Sequence, residues 1–202
     1  MAKVNVSKLK AEIAKKGYKI VKSQLVPRIE RALNKETQKV LEEFESHPIT
    51  QEIEGGPTAQ NTSKTLGGYG NLFTFIGFDR GSDPISPLRS LLARSIKIKS
   101  LRKKNNALTY VLKFSVPSRE QIAAVSPSPW STDSWVDAVE RGMSGLGKYL
   151  YSSSGRFKTS RSGGAIEASV EFRSASTSKA MPYLSEVLEN MLKRIESSLK
   201  RL

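Results

Sequence analysis

The sequence predicts an α+β fold: an antiparallel sheet of about four strands, packed by two or three helices and preceded by a long N-terminal helical arm. Three observations carry that prediction. Apolar residues recur at helical steps near both ends of the chain. Residues 95–101, 107–115 and 165–173 alternate apolar and polar with the period of a strand. A dense apolar run, Leu72 to Phe78, supplies a fourth strand candidate. The expected division is a helical arm over residues 1–49 and an α+β domain over residues 50–202.

Taken in order, Ser7 is placed to cap a short helix over residues 8–16, ended by Gly17. Tyr18, Val21, Leu25, Ile29, Leu33, Val40 and Phe44 then share one face of a long helix. Pro27 either bends this helix or starts a fresh one, so residues 28–46 are its secure part. His47-Pro48 ends it, because a residue before proline is pushed out of the helical region. Residues 50–71 are polar and glycine-rich and read as a long loop. Asp83 is a candidate cap for a helix whose Leu88, Leu91 and Leu92 face the core.

Ile96, Ile98 and Leu101 alternate with Lys97 and Lys99; Leu108, Tyr110, Leu112 and Phe114 line one side of the next stretch. Lys103-Lys104-Asn105-Asn106 between them is turn chemistry, so the pair predicts an antiparallel hairpin with a basic tip. Short helices follow at 118–125 and 132–141, the latter with Trp135, Val136 and Val139 apolar. A Ser/Gly-rich loop at 152–164 carries three positive charges. The C-terminal helix, 182–202, presents Leu184, Val187, Leu188, Met191, Leu192, Ile195 and Leu199.

At 202 residues the chain can bury a core without disulfides or a structural metal. The absence of cysteine excludes a disulfide scaffold, a zinc-thiolate site and a cysteine nucleophile. No apolar stretch has the length of a membrane span, and the first residues lack a secretory pattern, so the chain is expected to stay in the compartment where it is made. The net charge is +14, and its placement is uneven: residues 84–116 hold eight basic and no acidic side chains. Such a run raises a positive potential that attracts phosphate or an acidic protein surface. The plainer reading is a solubilising face.

The catalytic patterns are weak. Residues 142–148 satisfy G-x-x-x-x-G-K, but Tyr149 stands where a P-loop needs Ser or Thr for magnesium, and the motif follows a helix rather than a strand. A glycine-rich helix end is the better reading. His47 is the only histidine; it lies at a helix terminus and suits a capping role. Asp133, Asp137 and Glu140 share a helix side, where acidic groups usually offset the dipole. Asp79 and Asp83 lack the alternating oxygens of a calcium loop. The expectation is a non-enzyme with no cofactor and no metal. The hairpin cations Lys97, Lys99, Arg102, Lys103, Lys104 and Lys113 are the best candidates for DNA or partner contact. Tyr110 and Phe114 lie with the aliphatics, as core rather than as a base-stacking platform.

The phrases Phe44-Glu45-Ser46-His47-Pro48-Ile49-Thr50-Gln51-Glu52-Ile53, Leu66-Gly67-Gly68-Tyr69-Gly70-Asn71-Leu72-Phe73-Thr74-Phe75-Ile76-Gly77-Phe78 and Met181-Pro182-Tyr183-Leu184, with the Ser/Gly-rich segment and the strand expected at 165–173, resemble tail-completion or neck proteins of tailed bacteriophages. With Asp83-Pro84-Ile85 the resemblance covers roughly residues 40–200. It implies a structural virion subunit of the head-to-tail connector, made in the host cytoplasm and assembled as a six- or twelve-fold ring around the DNA channel. The implied partners are other copies of the chain, the portal side and the tail tube or its terminator, with non-specific contact to genomic DNA and no membrane. Gly67, Gly68, Tyr69, Gly70 and Asn71, and Arg156, Lys158 and Arg161, then fall in candidate docking loops. The basic hairpin would face passing DNA or an acidic neighbouring ring.

Overall fold

A single helix, α1, runs unbroken from Val6–Ser46, 41 residues and about 60 Å at 1.5 Å per residue. The computed structural model describes residues 6–66, 70–103, 110–129, 132–143 and 180–199. The expected stop at Gly17 does not occur, and at Pro27 the helix continues rather than starting afresh. Gly17 lies inside α1 and does not end it, Ser7 is within the helix rather than capping it, and Pro27 is carried in mid-helix. Proline there deprives the Ser23 carbonyl of its partner. Ser23 is exposed, so water can satisfy that group. Ser23 Oγ donates to the Ile20 carbonyl at 2.9 Å and Arg31 Nε to the Pro27 carbonyl at 3.3 Å, bracketing the turn.

His47 breaks α1 and begins α2, Pro48–Glu54. The expected loop over 50–71 is therefore shorter than its composition suggests. Its first residues are helical, and a 3-10 turn follows at Gly56–Thr58. Ile49 and Ile53 carry the apolar face that holds α2 in the core.

Leu72 to Phe78 is not a strand. Residues Leu72–Ile76 form a short helix, α3. Asn71 caps it by accepting from Thr74 N at 2.9 Å. Gly77, at φ +87, ends it in the left-handed region that glycine enters without penalty. All five helical residues are buried. A run buried all round needs no period, so its aromatic composition does not decide between helix and strand.

Helix α4 is Ser86–Ser95. Its N-cap is Ile85, which makes no side-chain capping bond; Asp83, the expected cap, lies two residues earlier, and its Oδ1 accepts from Ile85 N and Ser86 N. Leu88 and Leu92 are buried and Leu91 packs beside them. Strands β1, Lys97–Lys103, and β2, Tyr110–Ser115, form the expected antiparallel hairpin. These are the two strands of the only sheet among the described residues. The expected sheet of about four strands is thus reduced: one candidate is α3, and the other, residues 165–173, lies outside the described residues. Helices α5, Arg119–Val125, α6, Trp135–Arg141, and α7, Leu184–Leu199, complete the order. That makes seven helices among the described residues, against the helical arm and two or three packing helices expected.

One core unites them. Ile29, Leu33, Val40 and Phe44 of α1 belong to the same buried cluster as Leu88, Trp135, Tyr183 and Met191. Aromatic rings form its centre: Trp135 meets Phe78 edge-on at 5.8 Å, and Tyr183 lies 6.0 Å from both Trp135 and Phe44. Each large apolar side chain buried here contributes about 1.5–3 kcal/mol. Leu184, Val187, Met191 and Ile195 hold α7 to this core, whereas Leu192, expected on the same face, is exposed.

Candidate interaction surface

Two arginine clasps set the position of the outer helices. Arg194 of α7 donates to Glu36 at 2.8 Å and also to Glu43, both on α1. Lys39 reaches Glu36 as well, at 2.8 Å. Burial alone would raise the Glu36 carboxyl, but the bonds from Lys39 and Arg194 hold it below the usual carboxylate range. On the other side Arg89 of α4 bridges Glu45 of α1 and Glu54 of α2. The hydrogen bond from Arg89, set against partial burial, also lowers Glu45. Arg89 belongs to the acid-free run of residues 84–116, yet its charge is matched by carboxylates from elsewhere in the chain.

The hairpin is different. Ile98 pairs with Phe114 and Leu101 with Leu112; Ile98, Leu112 and Phe114 pack half-buried against the core, and Leu101 is half-buried. Lys97, Lys99, Arg102 and Lys113 are exposed. None of the four is ion-paired with another described residue. The pairing slips between Ile98 and Ser100, which puts Lys99 at a bulge and strengthens the local twist. Lys103 pairs with Tyr110 at the end of the ladder. Lys104 lies outside the described residues.

The arm is tied to this ribbon. Tyr18 OH donates to the Leu101 carbonyl at 2.9 Å, across 83 residues of sequence. Ile20, on the next residues of α1, is 57% exposed. Lys19, Lys22, Ser23, Val26 and Pro27 line an open groove on the same helix. Among side chains described along α1, Ile29 is the first that is buried.

The candidate docking residues are only partly placed. Gly67, Gly68 and Tyr69 lie outside the described residues, as do Arg156, Lys158 and Arg161. Gly70 is exposed. Asn71 is turned inward: besides capping α3, its Nδ2 donates to the carbonyls of Pro57 and Ala59. The organiser of this segment is Glu52, which the sequence reading did not single out. Its buried carboxylate accepts from Leu72 N at 2.6 Å and Ser63 N at 2.9 Å, closing the chain over α2. Its three-residue step from Ile49, on an apolar face, is the one clue the sequence offers.

The groups weighed for catalysis have structural partners. His47 Nδ1 accepts from Ile49 N at 3.2 Å and caps α2, as expected. Its ring lies 4.8 Å from that of Tyr183, whose hydroxyl bonds Thr50 Oγ1 at 2.7 Å. Burial pushes the His47 imidazole below its ordinary range and pushes the Tyr183 phenol up. Asp137 pairs with Arg119, and Glu140 accepts from Ser185 N. Gly142, at φ +79, ends α6, in keeping with a glycine-rich helix terminus; residues 144–148 lie outside the described residues. Among the described residues no group of three or more His, Asp or Glu side chains is placed to hold a metal ion, and no helix is long and apolar enough to cross a membrane. Searches against protein-family models, curated proteins and solved structures found no match to this chain.

Proposed function

We propose that this chain is a structural assembly subunit, a ring-forming neck or tail-completion protein of the phage head-to-tail connector. The observation that carries the reading is α1. About half of its 41 residues precede Ile29, the first buried position among the side chains described along α1, and that stretch displays Ile20 and a shallow groove, with Leu25 packing partly buried against the core and Tyr18 bonded to the Leu101 carbonyl. A helix extended so far beyond its own core is suited to clasp a neighbour. The likeness of the 44–53, 66–73 and 181–184 phrases to neck proteins supplies the setting: a virion joint, with the portal side and the tail tube or terminator as partners. Native mass spectrometry and negative-stain imaging of the full chain, alone and with those partners, test it. Six- or twelve-fold species, or rings formed with a partner, are expected. A chain that stays monomeric at every concentration and with every partner overturns the reading.

A second reading, a free-standing nucleic-acid-binding protein, is favoured by the acid-free hairpin. A monomer that carries out duplex binding with no ring at any stage would establish it over the first.

A further inference from the structure

We infer that the exposed face of the β1–β2 ribbon is a binding site for the phosphate backbone of duplex nucleic acid, read without regard to sequence. The inference goes beyond subunit assembly and does not depend on ring formation.

Like charges crowded on a short two-stranded ribbon repel one another and weaken it. Lys97, Lys99, Arg102 and Lys113 are nonetheless exposed together, and no carboxylate occurs between residues 84 and 116 to relieve them. Arg89 shows that the fold does neutralise a cation of this run where position matters, by bringing in Glu45 and Glu54. The hairpin cations receive no such partner among the described residues. Their charge is left for an anion outside the chain.

The chemistry of the face selects the anion. Protein interfaces concentrate their energy in buried aromatic and arginine anchors and are depleted in lysine. Among its described side chains this ribbon exposes three lysines, one arginine and a single large apolar residue, Val111 at 40%. Phe114 is engaged with the core, so among the side chains described on the ribbon no ring is presented for stacking on a splayed base. Point charges without aromatic anchors suit phosphates, whose binding draws on counterion release rather than on shape. The bulge at Lys99 adds twist to the ribbon, as a strand pair following a helical backbone requires.

The test is titration of the full chain with a labelled duplex of random sequence over a range of salt. Four phosphate contacts give a log–log slope of about −3.6, equivalent to about a 150-fold loss of affinity for a fourfold rise in salt. Each single alanine substitution at Lys97, Lys99, Arg102 or Lys113 is expected to lower the slope by about 0.9, equally for unrelated duplex sequences. The quadruple alanine variant should lose the salt dependence, and a quadruple variant keeping all four charges (K97R, K99R, R102K, K113R) should retain it. All four positions are exposed, and a thermal melt checks that each variant is folded. An unchanged slope in the quadruple alanine variant overturns the inference. So does a face that binds an acidic polypeptide such as polyglutamate but no duplex. Native mass spectrometry on the same samples separates the two proposals: rings with an unaltered slope refute only this one, and monomers with a charge-dependent slope refute only ring assembly.

Discussion

Replacing Arg194 by alanine should destabilise the protein by about 2–3 kcal/mol, an amount that follows from how unevenly its two bonds are exposed. The Glu36 side chain is 8% exposed and the Glu43 side chain 37%. Removing one partner of a fully buried pair costs about 3–5 kcal/mol, because a buried charge is left uncompensated. Here Lys39 remains on Glu36, which reduces that figure. The Glu43 limb, more than a third exposed, adds less than about 1 kcal/mol. For a chain of this size the total lowers Tm by about 5–10 °C. Urea denaturation at pH 7 measures it, with Arg119→Ala as the contrast: its side chain is 67% exposed and the loss should be small beside that of Arg194→Ala. The sign with pH is fixed as well. The Glu36 carboxyl is held low in the fold, so this stabilisation is present above its ordinary value of 4.5 and is lost as pH falls through the lowered one. The penalty of Arg194→Ala must therefore shrink in acid. Equal losses for the two arginine variants, or a penalty that grows as pH falls, would refute the reasoning.

Three further outcomes are expected. Glu52→Ala leaves the Leu72 and Ser63 amides buried without acceptors and should cost about 2–4 kcal/mol by urea denaturation, with faster hydrogen exchange at those two amides. His47 is held below its ordinary 6.5 by burial, against the pull of Glu186, the Pro182 carbonyl and Glu140. Its stabilisation is complete above about pH 6.5 and declines as pH falls below it, since the unfolded chain then binds the extra proton. His47→Asn, which keeps a capping side chain, should flatten unfolding free energies measured between about pH 7 and pH 5. Tyr18→Phe removes one partly buried hydrogen bond, worth about 1 kcal/mol. Amide exchange should quicken in α1 around residues 17–24 while the urea midpoint, set by the core from Ile29 onward, stays in place.

The hairpin was legible because two signals agree there: period-two alternation on both sides and polar turn residues between. The second half of α1 and the C-terminal helix were legible for the same reason at helical period. The run from Leu72 to Phe78 misled because five apolar residues in seven, interrupted only by Thr74 and Gly77, are too dense to show a helical or a strand period. The helix is defined at its ends, by Asn71 as a cap and Gly77 as a left-handed stop, and both residue types bound short strands as readily as short helices. Residues 50–54 misled through polar composition: Glu52 and Thr50 are buried with partners that lie 11 to 133 residues away, which no local pattern records. The candidate surface was legible in its charge but overcounted. Arg89 reads as part of the basic run, and only the fold brings Glu45 and Glu54 to it. The Arg194 clasp joins residues 158 positions apart and left no trace in the sequence.

The proline at position 27 gives α1 a mechanical property. A helix resists bending because each turn is bonded to the next, and one of those bonds is missing between Ser23 and Pro27. From Val6 to Pro27 the helix extends about 30 Å beyond the weak turn. A change of about 20° there would carry its tip through about 10 Å once the bond from Tyr18 to the Leu101 carbonyl is released, with every buried residue from Ile29 onward left in place. The arm is therefore a lever with its fulcrum just outside the core, able to meet neighbours at different spacings without repacking the body that holds it.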